Sequence, residues 1–174
     1  MKDVHVPNRR LIIVCGLPGS GKTTHARHIA EHYGAIRFCA DEWMDALSID
    51  HYDENRRHQI EALQWKNAED LLRLGLVVII EWGTWSRRER DSLRLRAREM
   101  GAAVELHYLT APLDVLFGRI QRRRREHPPI DVKQLAEWSN KFQPPDSNEM
   151  ALYDNAVLAE TPSTDSWPIL AQRS

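Results

Sequence analysis

Leu11-Ile12-Ile13-Val14-Cys15-Gly16-Leu17-Pro18-Gly19-Ser20-Gly21-Lys22-Thr23 is the stretch whose reading decides the fold. Its apolar start is short, uninterrupted and ended by glycine, so 10–15 reads as a strand buried on both faces. The next eight residues fit glycine, any four residues, then Gly-Lys-Thr. Glycines at 16, 19 and 21 permit a bend in which successive backbone N–H groups converge on phosphate oxygens. Beyond it Ala26, Ile29, Ala30 and Tyr33 recur at helical spacing, and Gly34 stops the run. A helix that opens there adds its unpaired N-terminal donors and the positive end of its dipole. Gly16, Gly19, Ser20, Gly21, Lys22, Thr23 and Thr24 are therefore the expected nucleotide-binding residues. Lys22 suits the outer phosphates as a point charge, and the Thr23 hydroxyl suits Mg²⁺.

Working outward, strand and helix patterns alternate. Ile36 to Ala40 reads as a second strand ending at Asp41. A helix is expected over 54–74 with Ile60, Leu63, Asn67, Leu71 and Leu74 on one face, closed by Gly75. Leu76 to Ile80 is the most hydrophobic run and reads as a central strand. Ser86 with Glu89 three residues on has the signature of a capping box. The helix it opens carries Leu93, Ala97 and Met100 and stops at Gly101. Ala103 to Leu109 is a fourth strand. Pro112 opens a helix with Leu113, Leu116, Phe117 and Ile120 on its buried stripe. Asp131 can cap one more helix reaching Phe142, and Ala156 to Leu158 is a fifth strand. This alternation predicts an α/β fold, a parallel sheet with helices on both faces. Right-handed crossovers then bring Gly16, Asp41 and Glu81 to one sheet edge, where ligands of such folds bind.

Asp41 can accept the proton of an incoming hydroxyl or orient it for in-line attack, and it also suits a helix cap. Asp45 is a weaker candidate one turn on. Glu81, at the end of the central strand, can hold a metal's water shell or position the nucleophile, which makes Thr23 and Glu81 the candidate magnesium residues. The arginines at 119, 122, 123, 124 and 125 form a candidate lid over about 119–130. Arg119 and Arg123 share a helix face and are the favoured pair for stabilising transferred charge, although a solvated basic helix end has the same composition. Trp82, Gly83 and Trp85 could wall an acceptor pocket that Arg87 and Arg90 grip, with Trp43 in a similar position.

The chain of 174 residues is read as one domain, 1–174. Lys plus Arg number 24 against 25 for Asp plus Glu, so no global field draws nucleic acid or an anionic membrane. The longest apolar runs are far too short for a membrane span, and there is no pattern of a signal peptide. A cytoplasmic location is expected. Cys15 and Cys39 read as small buried residues in a reducing compartment. The histidines show no metal-ligand spacing, so no structural zinc is expected.

The Gly16–Thr23 loop, the Ala40-Asp41-Glu42 step, the stretch from Glu81 to Asp91, the strand Glu105–Leu109 and the arginine-rich lid together resemble the small phosphate-loop kinases. More narrowly, they are similar to the polynucleotide-kinase, chloramphenicol-phosphotransferase and zeta-toxin group. The resemblance runs from about Leu11 to Asp146. It implies a three-layer P-loop NTPase fold with a five-stranded parallel sheet in the order 2-3-1-4-5. It also implies ATP as donor, with Lys22, Asp41, Arg119 and Arg123 as catalytic residues. Two positions depart from the pattern: Glu81 stands where aspartate is usual, and Met44 where polynucleotide kinases place arginine. The expected activity is an ATP- and Mg²⁺-dependent transfer of the terminal phosphate to a hydroxyl of a small molecule, by a monomer or homodimer. A polynucleotide 5′-kinase and an ATP-binding regulatory module that transfers nothing are the alternatives.

Overall fold

The 10–15 run forms β1 (Arg10–Cys15), the centre of the sheet in the computed structural model, which describes residues 9–124 and 126–160. The other strands are β2 (Ile36–Phe38), β3 (Val77–Ile80), β4 (Ala103–Thr110) and β5 (Asn155–Glu160). All pairings are parallel and the order is β2-β3-β1-β4-β5, as the resemblance implies. Ile80 stands level with Ile13 on one side and Phe38 on the other. The residues that follow these three strands therefore emerge together at one edge.

The alternating side chains of β1 divide the core in two. Leu11, Ile13 and Cys15 pack on the layer formed by α3 (Glu54–Arg73) and α4 (Arg87–Glu99). Ile12 and Val14 face α1 (Lys22–Tyr33) through Ala26 and Ile29. Helices α5 (Leu113–Arg123) and α6 (Val132–Lys141) share a smaller cluster of Leu116, Ile120, Ile130 and Leu135, with Leu17 of the loop packed against it. The segment expected as a lid, about 119–130, is thus joined to the phosphate loop by apolar packing. Both cysteines are free and buried, and burial pushes Cys15 up to about 12 and Cys39 to about 11. No described helix is long and apolar enough to cross a membrane.

Several local expectations change. The second strand ends at Phe38, because Cys39 is the N-cap of α2 (Ala40–Ala46). Asp41 accordingly sits in the first turn of α2 and is not its cap. The inner face of α3 is Ile60, Gln64, Trp65, Ala68 and Leu72, whereas Leu63 and Leu74 are 56% and 74% exposed. Trp65 and the small Ala68 fit against the sheet, so the i, i+4 row through Ile60 wins over the row of leucines. A short helix, α7 (Ser147–Met150), precedes β5 and escaped the sequence reading. The capping box at Ser86 and the Asp131 cap form as expected. Arg125 and residues 161–174 lie outside the described residues, as does the start of the 1–174 span.

Candidate active site

The loop turns directly out of β1. Gly16 has φ +146°, and a Cβ there would meet the Leu109 carbonyl oxygen at 2.3 Å, so no side chain fits. Gly19 and Gly21 also have positive φ, and Ser20 is buried between them. Lys22 Nζ donates to the carbonyls of Gly16 at 2.8 Å and Leu17 at 3.0 Å, curling over its own loop. Burial pulls its pKa down, and the carboxylates of Asp41 and Glu81 oppose that pull. Lys22 thus senses both acids that were read from the strand ends. Thr24 is exposed on the first turn of α1.

Thr23 Oγ1 donates to Glu81 Oε1, joining the first turn of α1 to the end of β3. Glu81 Oε2 accepts from Arg37 Nη1 at 2.5 Å. The other guanidinium nitrogen of Arg37 donates to both Glu42 oxygens at 2.7 and 2.6 Å, and Arg27 reaches Glu42 at 2.7 Å. Burial opposes the Arg37 charge, but Glu81 and Glu42 outweigh it and raise the pKa of Arg37. Sequence reading missed Arg37. The signal was an arginine in the middle of a short strand, where only a buried anion would retain it.

Asp41 lies across the edge from Lys22 and accepts from Arg57 Nη1 at 2.7 Å. His51 Nδ1 stands 3.8 Å from the same oxygen, while its Nε2 bonds Asp45. The neighbouring Asp41 carboxylate is the largest cause raising the His51 pKa, and burial partly offsets it. Arg57 and His51 are the other residues the sequence left unmarked.

The segment after β3 differs from its reading. Trp82 is buried and donates through Nε1 to Gln64 Oε1 at 2.6 Å, and Gln64 Nε2 donates to the Cys39 carbonyl at 3.1 Å. A Cβ on Gly83 would lie 2.6 Å from Trp85 Nε1, so this glycine makes room for an indole of the protein itself. Trp85 packs edge-on against Trp138. Trp43 stays partly exposed, edge-on to Phe38. Arg90 is fully buried. It donates to Glu149 at 2.6 and 2.9 Å, to the Thr84 carbonyl at 2.9 Å and to the Gln143 carbonyl at 2.8 Å. It is an internal strut and cannot grip an acceptor, because its donors are committed inside. Arg87, half exposed, is 3.5 Å from Asp91.

From the lid, Arg119 Nη1 donates to the Gly19 carbonyl at 3.3 Å. Arg123 pairs with Glu126 and is close enough for its charge to depress Lys22. Of the two favoured arginines, Arg119 touches the loop and Arg123 acts on it through its charge. Tyr52, in the connection between α2 and α3, donates to the Pro128 carbonyl at 2.9 Å and ties the Asp41 side of the crevice to the lid. Thr23 thus touches Glu81, Lys22 feels the charges of Asp41, Glu81 and Arg123, and Arg119 bonds the loop, whereas Arg90 and Trp82 turn inward.

Solved structures with the same fold include a putative kinase from Chloroflexus aurantiacus. It is 19% identical with a TM-score of 0.71, and 88% of each chain is covered. A gluconokinase from Sinorhizobium meliloti is 21% identical with a TM-score of 0.61, over 90% of this chain and 86% of that one. Chaetomium thermophilum Kti12, solved with ADP-AlF3, is 18% identical with a TM-score of 0.68, over 86% of this chain and 88% of that one. No curated protein matches the sequence. Residues 11–145 match the model of the AAA_33 family, described as an AAA domain. That match spans most of the chain, from β1 through the phosphate loop and the lid, and the chain belongs to this family.

Proposed function

We propose that this protein is an ATP- and Mg²⁺-dependent phosphotransferase that moves the terminal phosphate to a hydroxyl of a small molecule. The observation that carries the reading is electrostatic: Lys22, in the phosphate loop, feels Asp41 and Glu81 as its principal charged partners. A donor-binding cation and an acceptor-side carboxylate thus stand within electrostatic reach of each other. The kinase fold of its structural neighbours supports the same reading.

The backbone N–H groups of Gly16 to Thr23 would hold the phosphates, with Lys22 Nζ leaving the loop carbonyls for phosphate oxygens. The Thr23 hydroxyl and Glu81 carboxylate form an all-oxygen donor pair in mutual contact, which suits Mg²⁺. Bound magnesium would supply neutralisation of the outer phosphates. Asp41 accepts the acceptor's proton at a carboxylate oxygen or aims its hydroxyl at the phosphorus. Arg119 and Arg123 draw the charge that spreads over the transferred group.

The test is calorimetric titration of Mg-ATP into wild type and Lys22→Ala. Tight binding lost by at least tenfold in the variant supports the reading. No heat of binding with Mg-ATP or Mg-GTP overturns it. A regulatory ATP-binding module is the second reading, favoured by the coverage of Asp41 by Arg57 and of Glu81 by Arg37. It expects nucleotide binding with no transfer to any acceptor.

A further inference from the structure

Arg57 and Glu61 are one turn apart on α3, flanking the buried Ile60 and Gln64. Gln64 is tied to the carbonyl just ahead of α2 and to Trp82 just past β3, so this face of α3 packs beside the start of α2, which carries Asp41. Arg57 is paired with Asp41 at 2.7 Å. Glu61 is half-buried and forms no hydrogen bond or ion pair among the described residues. A half-buried carboxylate without a donor gains from a cationic partner within reach. The guanidinium nearest along the helix belongs to Arg57, and side chains four apart on a helix meet.

We propose that Arg57 is a movable positioning residue with two carboxylate seats, Asp41 and Glu61, and that its passage to the second opens Asp41 to the acceptor hydroxyl. The inference rests on the reading of Asp41 as the hydroxyl-activating group. A carboxylate that already accepts from arginine is a weaker base and offers its oxygen to a competitor. An acceptor hydroxyl aimed at that oxygen displaces Arg57, and Glu61 receives the released charge. Partly exposed ion pairs are individually weak, so neither seat traps the side chain. The charges facing Glu61 are Arg57 and His58 on α3, Asp41 on α2 and Glu89 on α4. Burial is the main cause that lifts the Glu61 carboxyl to about 6, so the second seat is only partly charged in mildly acidic solution.

The direct test is carboxyl NMR titration of Glu61 in the wild type, Asp41→Asn, Arg57→Ala and the double variant. With Arg57 present, Asp41→Asn sends the guanidinium to Glu61 and lowers its pKa by about one unit or more. Without Arg57 the same substitution has a clearly smaller effect. Equal shifts in both backgrounds overturn the proposal. This readout needs no turnover, so it stands apart from the transferase assignment. In transfer assays, Glu61→Gln slows the reaction roughly tenfold in the wild type and has no further effect on Arg57→Ala, the signature of coupled residues. A Glu61→Gln loss that persists without Arg57 makes Glu61 a direct acceptor ligand and also overturns the proposal.

Discussion

In the proposed reaction Asp41 serves the acceptor and Lys22 the donor, and single substitutions separate the two roles. Asp41→Asn is expected to lower phosphate transfer by roughly 10²–10⁴-fold, the range for a positioned acid–base group. ATP affinity measured by calorimetry stays near the wild-type value, since the lost charge faces the acceptor. A parallel loss of nucleotide binding would place Asp41 on the donor side instead. Lys22, Thr23, Asp41 and Glu81 stand out as candidates in the sequence because each follows a strand end or lies in a loop of fixed spacing. Their immediate partners stand out less. Arg37 is marked only by its place in a short strand, and no local pattern marks His51 or Arg57; the packing of β2, α3 and the α2–α3 connection brings them to the carboxylates.

At the scale of elements, Arg90 shows how a sequence reading fails. An arginine just past the central strand looked like an anion-gripping residue, yet its whole side chain is buried against Glu149 of a four-residue helix. Nothing in the spacing of residues 90 and 149 announces that pairing. It ties Thr84, after β3, and Gln143, after α6, to α7. Removing one partner leaves a buried charge alone. Arg90→Met or Glu149→Leu should each cost about 3–5 kcal/mol in urea denaturation, and the double variant should recover most of it. Independent, additive losses would show that the pair acts only through packing. The α3 face was misread for a related reason, because the leucine row at Leu63 and Leu74 outscores the true row in hydrophobicity but not in fit.

For the whole molecule, the strand order followed from the family resemblance, whereas the parallel sheet with helices on both faces followed from alternation of short apolar runs with helical spacing, a long-range pattern that survives local errors. Hidden within it is a polar chain between α1 and the sheet. His25 Nε2 meets His107 Nδ1 at 2.7 Å, and His107 Nε2 meets Glu105 at 3.1 Å, all three buried. Glu105 is held down at about 2: burial opposes its charge, but hydrogen bonds from His107 and Asn155 and the Arg10 charge win. As an ionised acceptor it takes the His107 Nε2–H, and His25 then donates to His107 Nδ1. Burial, aided by His107, lowers His25 to about 4. The unfolded chain binds that proton near 6.5, so stability from this group is complete above pH 6.5 and lost as pH falls toward 4. The loss should approach about 3 kcal/mol in that window, read from urea midpoints against pH, with the Glu105 contribution lost only at still lower pH. His25→Gln should flatten the window between pH 6.5 and 4. An unchanged pH profile in that variant would contradict the assignment.

The measurement that bears most directly on the central claim is a phosphate-transfer assay with Mg-ATP over a panel of hydroxyl acceptors. The panel holds nucleosides, sugars, hydroxylated antibiotics and 5′-hydroxyl oligonucleotides, with product followed by phosphorus NMR in wild type and Asp41→Asn. The account predicts a new phosphomonoester on one small-molecule class, formed by the wild type and nearly abolished by the substitution. Binding of Mg-ATP without a phosphorylated product from any class, or a product formed equally well by Asp41→Asn, would contradict it.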